Sequence, residues 1–207
     1  MILPAGEVAP PVHSMLERRF QTVVRQRYDF SCGSAALATL MRYHYGKPTS
    51  EEFVFLGMWQ TGDQALIRRH GFSLLDMKRF LASHGIAADG FQVTLDDIAN
   101  TRIPGIALIT TQGYKHFVVV KGIQGREVLV GDPARGLRLI GVDVFKRQWN
   151  GILFALNGSA ELGKSNFGRD EEWALAPRSP LNGIRMMEPL SVQELSLVRA
   201  TPYPIQL

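Results

Sequence analysis

The chain has 207 residues, 45% hydrophobic and 20% charged, which is enough for one domain with a proper core and short for two. The net charge of +4 comes from basic residues, mostly Arg, scattered along the sequence; that describes a solvated surface rather than a nucleic-acid footprint. One cysteine excludes an intramolecular disulfide and a Cys-rich metal site, and no run of about twenty apolar residues is present to span a membrane.

In chain order, residues 1–18 are Pro-rich without an apolar period and read as a flexible arm. The opening MILPAGEVAPPVHS lacks the basic and apolar regions of a signal peptide, so the protein is expected to be cytosolic or to start after a removed signal. Phe20 to Arg25 is a short β-like run. From Cys32 to Tyr45, apolar residues Ala36, Leu37, Leu40, Met41 and Tyr45 recur at helical spacing until Gly46-Lys47-Pro48. Ser50 reads as the cap of a second helix, and a third runs from Ser73 or Leu74 to His84 before Gly85. The stretch from Phe55 to Arg69 reads as loop, and Asp96-Asp97 as a turn or short helix. From Pro104 the pattern turns to β: 106–109, 117–120, 128–130 and 137–140 are short runs separated by turn residues. A helical segment at 142–147 and a closing strand at 152–156 follow. Helices first and a mostly antiparallel sheet later is an α+β pattern. The domain is expected to span 19–157, with 158–207 a partly irregular tail.

The chemistry centres on Cys32, which falls where coil gives way to helix. A helix start offers unpaired N–H groups and partial positive charge, and both stabilise a thiolate. Gly33 beside it is small and expected to let substrate approach. A thiolate nucleophile needs a base and a group that orients the base. His13 lies in the arm, His44 is about three turns along the cysteine's own helix, and His70 and His84 end helical segments. His116 instead opens the β run 117–120. The next strand ends in Gly131-Asp132-Pro133, and in an antiparallel pair the start of one strand lies beside the end of the next. Asp132 is therefore expected next to His116. The Cys32 backbone N–H and the side-chain amide of Gln26 are candidate oxyanion donors.

These residues carry a resemblance. Gln26-Arg27-Tyr28-Asp29-Phe30-Ser31-Cys32-Gly33-Ser34-Ala35, His116-Phe117-Val118-Val119, Gly131-Asp132-Pro133-Ala134-Arg135-Gly136 and Trp149-Asn150-Gly151 come in the order of the blocks of the peptidase C39 (bacteriocin-processing) family. The resemblance implies a papain-like fold in which N-terminal helices pack on the sheet. It also implies a catalytic set of Cys32, His116 and Asp132, with Gln26 in the oxyanion hole. No metal or cofactor is implied. The chain departs from the transporter-linked members in lacking membrane segments and an ATPase, and in carrying Ser31 where they usually have Asp. Tyr28 to Gly33 and Gly71 to Lys78 resemble a stand-alone subgroup that serves functional-amyloid secretion. That subgroup implies an exported, periplasmic peptidase acting on a secretion or amyloid partner during biofilm assembly. Two other readings fit the same residues: a C39-like domain that grips a peptide without cutting it, and a Cys-His acyl-transfer enzyme of another type.

Overall fold

The computed structural model describes residues 14–177, apart from Gln112 and Ser159. Five helices come first: α1 (Met15–Arg19), α2 (Cys32–His44), α3 (Glu51–Thr61), α4 (Gln64–His70) and α5 (Leu74–Ser83). β1 (Ala88–Gln92) and α6 (Leu95–Thr101) lead into β2 (Gly105–Thr111), β3 (Tyr114–Gln124), β4 (Glu127–Asp132) and β5 (Gly136–Gly141). α7 (Val142–Gln148), β6 (Trp149–Leu156), α8 (Ala160–Ser165) and α9 (Asp170–Leu175) complete the described part. Side chains fix the helix starts: Ser50, Asp63, Ser73 and Thr94 each accept a first-turn N–H, and Ser73–Asp76 and Thr94–Asp97 close reciprocal boxes.

The six strands form one antiparallel sheet in the order β1-β6-β2-β3-β4-β5. The two-residue period of β3 divides its side chains between two cores. Phe117 and Val119 join Ala36, Leu37, Leu40, Met58, Met77 and Phe80 under α2, α3 and α5. Val118 and Val120 join Ile98 of α6 and Phe145 of α7 on the other face. This is the α+β architecture expected from helices followed by β-rich sequence.

Several local expectations differ from the structure. Phe20 to Arg25 is not a strand; Phe20, Gln21 and Val23 donate to Glu17, Arg18 and Phe20 in successive turns. Val23 is buried against Leu129, Leu137 and Trp173, so its β-branched side chain fills a core rather than a ladder. Ser14 caps α1 and residues 15–18 belong to it, while residues 1–13, His13 among them, lie outside the described residues. The stretch 55–69 is the rest of α3 and most of α4, not loop. Within the stretch read as a tail, α8 and α9 bury Phe167 and Trp173, and residues 178–207 lie outside the described residues.

A polar island lies where α9 meets the sheet. Lys121 of β3 is 0% exposed, and its ammonium sits 2.9 Å from Glu172 Oε1. It also donates to the Thr22 carbonyl and to His44 Nε2, each at 3.1 Å, and Arg169 reaches the same Glu172 oxygen at 2.5 Å. Burial, with the Lys121 and Arg169 charges, holds His44 well below its usual range, so it is neutral and free to accept. Burial also lowers Lys121, to about 8, against the pull of Glu172.

Candidate active site

Cys32 is the first residue of α2, where a backbone N–H has no intrahelical partner. Two anchors hold the loop that delivers it. The Gln26 N–H donates to the Pro133 carbonyl at 3.0 Å, tying the loop to the end of β4. On the other side Glu51, 5% exposed at the start of α3, accepts from the Ser31 hydroxyl at 2.5 Å and the Arg27 N–H at 3.1 Å. Ser31 also accepts from the Tyr28 N–H and makes no side-chain cap to its own helix. Ser31 thus serves to bind the loop to α3.

Gly33 answers a packing demand. A Cβ there would lie 3.0 Å from Met77 Cε and 3.1 Å from Phe72 Cβ, so the missing side chain lets α2 close on α5 and its leading loop. That contact fixes the depth at which Cys32 sits.

His116 lies near the start of β3, and the pairing of Val119 with Gly131 brings the end of β4 alongside. Its Nε2 donates to Asp132 Oδ1 at 2.8 Å. Its Nδ1 is buried without a hydrogen bond of ordinary geometry, and the Cys32 thiol is beside the ring. Burial alone would lower the imidazole; the hydrogen bond and charge of Asp132, with the Cys32 sulfur beside the ring, outweigh it and push the pKa up to about 9. Asp132 is 1% exposed. Burial would raise its carboxyl, but His116, the Ala134 N–H and Arg138 together bring it down to about 2. Oδ1 also accepts from the Ala134 and Arg135 N–H groups at 2.9 and 3.2 Å, and Oδ2 faces Arg138 at 3.0 Å.

The structure therefore brings Cys32, His116 and Asp132 together as the sequence order suggested. Gln26 is tied next to Asp132 by its backbone bond to Pro133, while its side-chain Nε2 donates to the Tyr28 carbonyl at 3.0 Å and its Oε1 is buried without a partner. His44 and His84 are spent elsewhere, on Lys121 and on the Phe80 carbonyl. Among the described residues no His, Cys, Asp or Glu cluster is arranged to hold a metal.

The thiol opens into a cavity of about 780 Å³. Its lining includes apolar Phe30, Phe72, Leu108 and Phe117 and basic Arg68, Arg69, His70 and Lys115. Tyr114 projects from the β2–β3 turn and donates to the Asp29 carbonyl at 3.0 Å, linking that turn to the loop before Cys32. The α4 residues were invisible as site residues because a helix end explains basic side chains without a cavity. Trp59 is half-buried, stacked on Phe55 and covered by Arg68.

Comparison with known proteins gives a consistent picture. The profile of the peptidase C39 family matches residues 21–161. A Pseudomonas aeruginosa protein named "Probable functional amyloid protease FapD" is 45% identical over 157 residues, covering 75% of this chain and 70% of its own length. Its namesake from Pseudomonas fluorescens is 38% identical over 199 residues, covering 96% and 88%. Among solved structures, the peptidase domain of Streptococcus ComA, a bifunctional ABC transporter, superposes with a TM-score of 0.56 at 21% identity, covering 65% of this chain and 96% of that one. A double-glycine-motif protease from an AMS/PCAT transporter, solved with its leader peptide, gives 0.53 at 26%, covering 65% and 89%. The helices packed on an open antiparallel sheet are the fold of these peptidase domains, and the chain belongs to the peptidase C39 family, as a cysteine peptidase.

Proposed function

We propose that Cys32 is the nucleophile, His116 its acid–base partner and Asp132 the group that orients His116, in an endopeptidase that processes a protein of a functional-amyloid secretion system during biofilm assembly. The observation that carries the reading is the imidazole held between thiol and carboxylate. With its pKa at about 9, His116 is an imidazolium at neutral pH, and such a cation beside the sulfur favours the thiolate form that the chemistry needs. The thiolate adds to the scissile carbonyl, and the Cys32 N–H with the second N–H of the Gln26 amide stabilises the oxyanion. His116 then protonates the departing amine as the C–N bond breaks, leaving a thioester. As a neutral base it takes a proton from the water that attacks this thioester. Hydrolysis returns the thiolate and the imidazolium.

The amyloid context rests on the names of the two Pseudomonas relatives, and the proposed compartment is the periplasm, as in the stand-alone subgroup the sequence resembles. The test incubates the protein and its Cys32→Ala form with the products of neighbouring secretion genes and maps new termini by mass spectrometry. Cuts made only by the Cys32 form support the reading. Binding of a partner with no cut by either form would replace it with a peptide-gripping domain, and cell fractionation checks the compartment.

A further inference from the structure

The cavity beside Cys32 has a charge asymmetry that the chemistry of cleavage does not require. Arg68, Arg69 and His70 reach it from the end of α4, and Lys115 reaches it from β3, next to His116. Asp29 is the one carboxylate among the described lining residues. None of Arg68, Arg69 and Lys115 pairs with a carboxylate among the described residues, although Arg126, Arg138, Arg169 and Lys164 all do. Arg68 lies with its guanidinium carbon 5.2 Å from the Trp59 ring centroid, a contact that holds the cation at this place without neutralising it.

Complementing the α4 macrodipole would account for basic residues at that helix end. It does not account for Lys115, which belongs to a different element and lines the same space. Cations from two elements facing one concave, partly apolar cavity focus a positive potential at its mouth. A peptide passing Cys32 in this cavity meets both apolar rings and cations without carboxylate partners among the described residues. We propose that the cavity selects peptide segments bearing carboxylate side chains close to the cut bond, held by Arg68, Arg69 and Lys115. The inference rests on the peptidase reading and names the substrate class of that same site.

Two measurements separate the inference from its premise. In the first, Cys32 is alkylated with anionic iodoacetate and neutral iodoacetamide at low salt, and the ratio of their rates is compared in wild type, the R68Q/R69Q variant and K115Q. These side chains are exposed and the substitutions leave the core intact. The ratio is expected to fall by about threefold to tenfold on loss of the cations, and the wild-type ratio to fall likewise as salt is raised. A ratio unchanged by both variants overturns the inference whether or not the protein cleaves anything. In the second, a proteome-derived peptide library is digested and the cut sites are read. Asp or Glu enriched within four residues of the cut, weakened in R68Q/R69Q and replaced by Lys or Arg in R68E/R69E, supports the inference. Cuts without acidic enrichment overturn it while leaving the peptidase intact. An uncut library with a ratio that still drops would support the acidic-ligand cavity and count against the peptidase reading.

Discussion

Replacing Asp132 by Asn isolates the charge at the centre of the site. The carboxyl is held at about 2 against an ordinary 3.8, and at about 1.4 kcal/mol per pH unit this is about 2 kcal/mol in favour of the ionised folded state. At 1% exposure, solvent screens little of it. An Asn whose carbonyl takes the place of Oδ1 keeps the bonds from His116, Ala134 and Arg135, so its NH₂ group faces Arg138, donor against donor. The loss is therefore expected to be about 2 kcal/mol, or about 4–8 °C in Tm for a domain of this size. Adding Arg138→Gln, which offers an acceptor, should restore part of it. The pH dependence has a definite form. Because the folded carboxyl titrates low, its contribution is present above about 4 and is lost as pH falls towards 2. Because folded His116 titrates high, its contribution is full below about 6.5 and is lost as pH rises through about 9. Circular-dichroism melts of both proteins across this range should show the widest gap between about pH 4 and 6.5. Overlapping melts at pH 5–6, or a gap that persists at pH 2, would refute the reasoning.

Two further substitutions probe the surroundings. Gly33→Ala gains about 1 kcal/mol of helix propensity but drives a methyl against Phe72 and Met77, an overpacking cost of about 1–3 kcal/mol. A net loss of about 1 kcal/mol in urea unfolding is expected, with slower iodoacetamide labelling of Cys32; a raised midpoint would show that the contact yields freely. Lys121→Met tests the buried island. The unfolded chain binds more protons than the folded one between about 8 and 10.5, so Lys121 adds stability as pH rises through that window, by up to about 3 kcal/mol. Glu172 keeps Arg169 when Lys121 is gone. The variant is expected to match or exceed wild type at pH 7 and to lose ground steadily above pH 8, as read from paired melts, and a difference that stays constant with pH would contradict this.

What the sequence revealed followed the range of the interactions involved. α2 was legible because its apolar residues repeat at helical spacing, and α5 because Ser73 caps it and Gly85 ends it. The strands β2 to β5 were legible from β-branched runs between turns. β1, Ala-Asp-Gly-Phe-Gln, carries no alternation and is a strand only because β6 pairs with it. α4 hides because Ile67 is its one buried residue. At the site, the nearness of His116 and Asp132 followed from hairpin order. The ties of Glu51 to Ser31 and of Gln26 to Pro133 did not, since each joins segments that only the finished fold brings together. The packing role of Gly33 was not legible either, since its smallness serves α5 and the turn before it, which lie some forty residues further along the chain.

The bonds gathered by Asp132 bear on how a lapsed descendant of this protein would look. Its carboxylate organises the turn into β5 through two backbone N–H groups and Arg138 as well as holding His116. A lineage that abandoned cleavage would still need that acid to make the turn, and Gly33 to seat the first long helix. Position 32 carries no such obligation, since serine would fill nearly the same space. On the proposed mechanism the Asp-Pro block is thus a signature of shape, and the thiol is the residue whose retention would report on continued use.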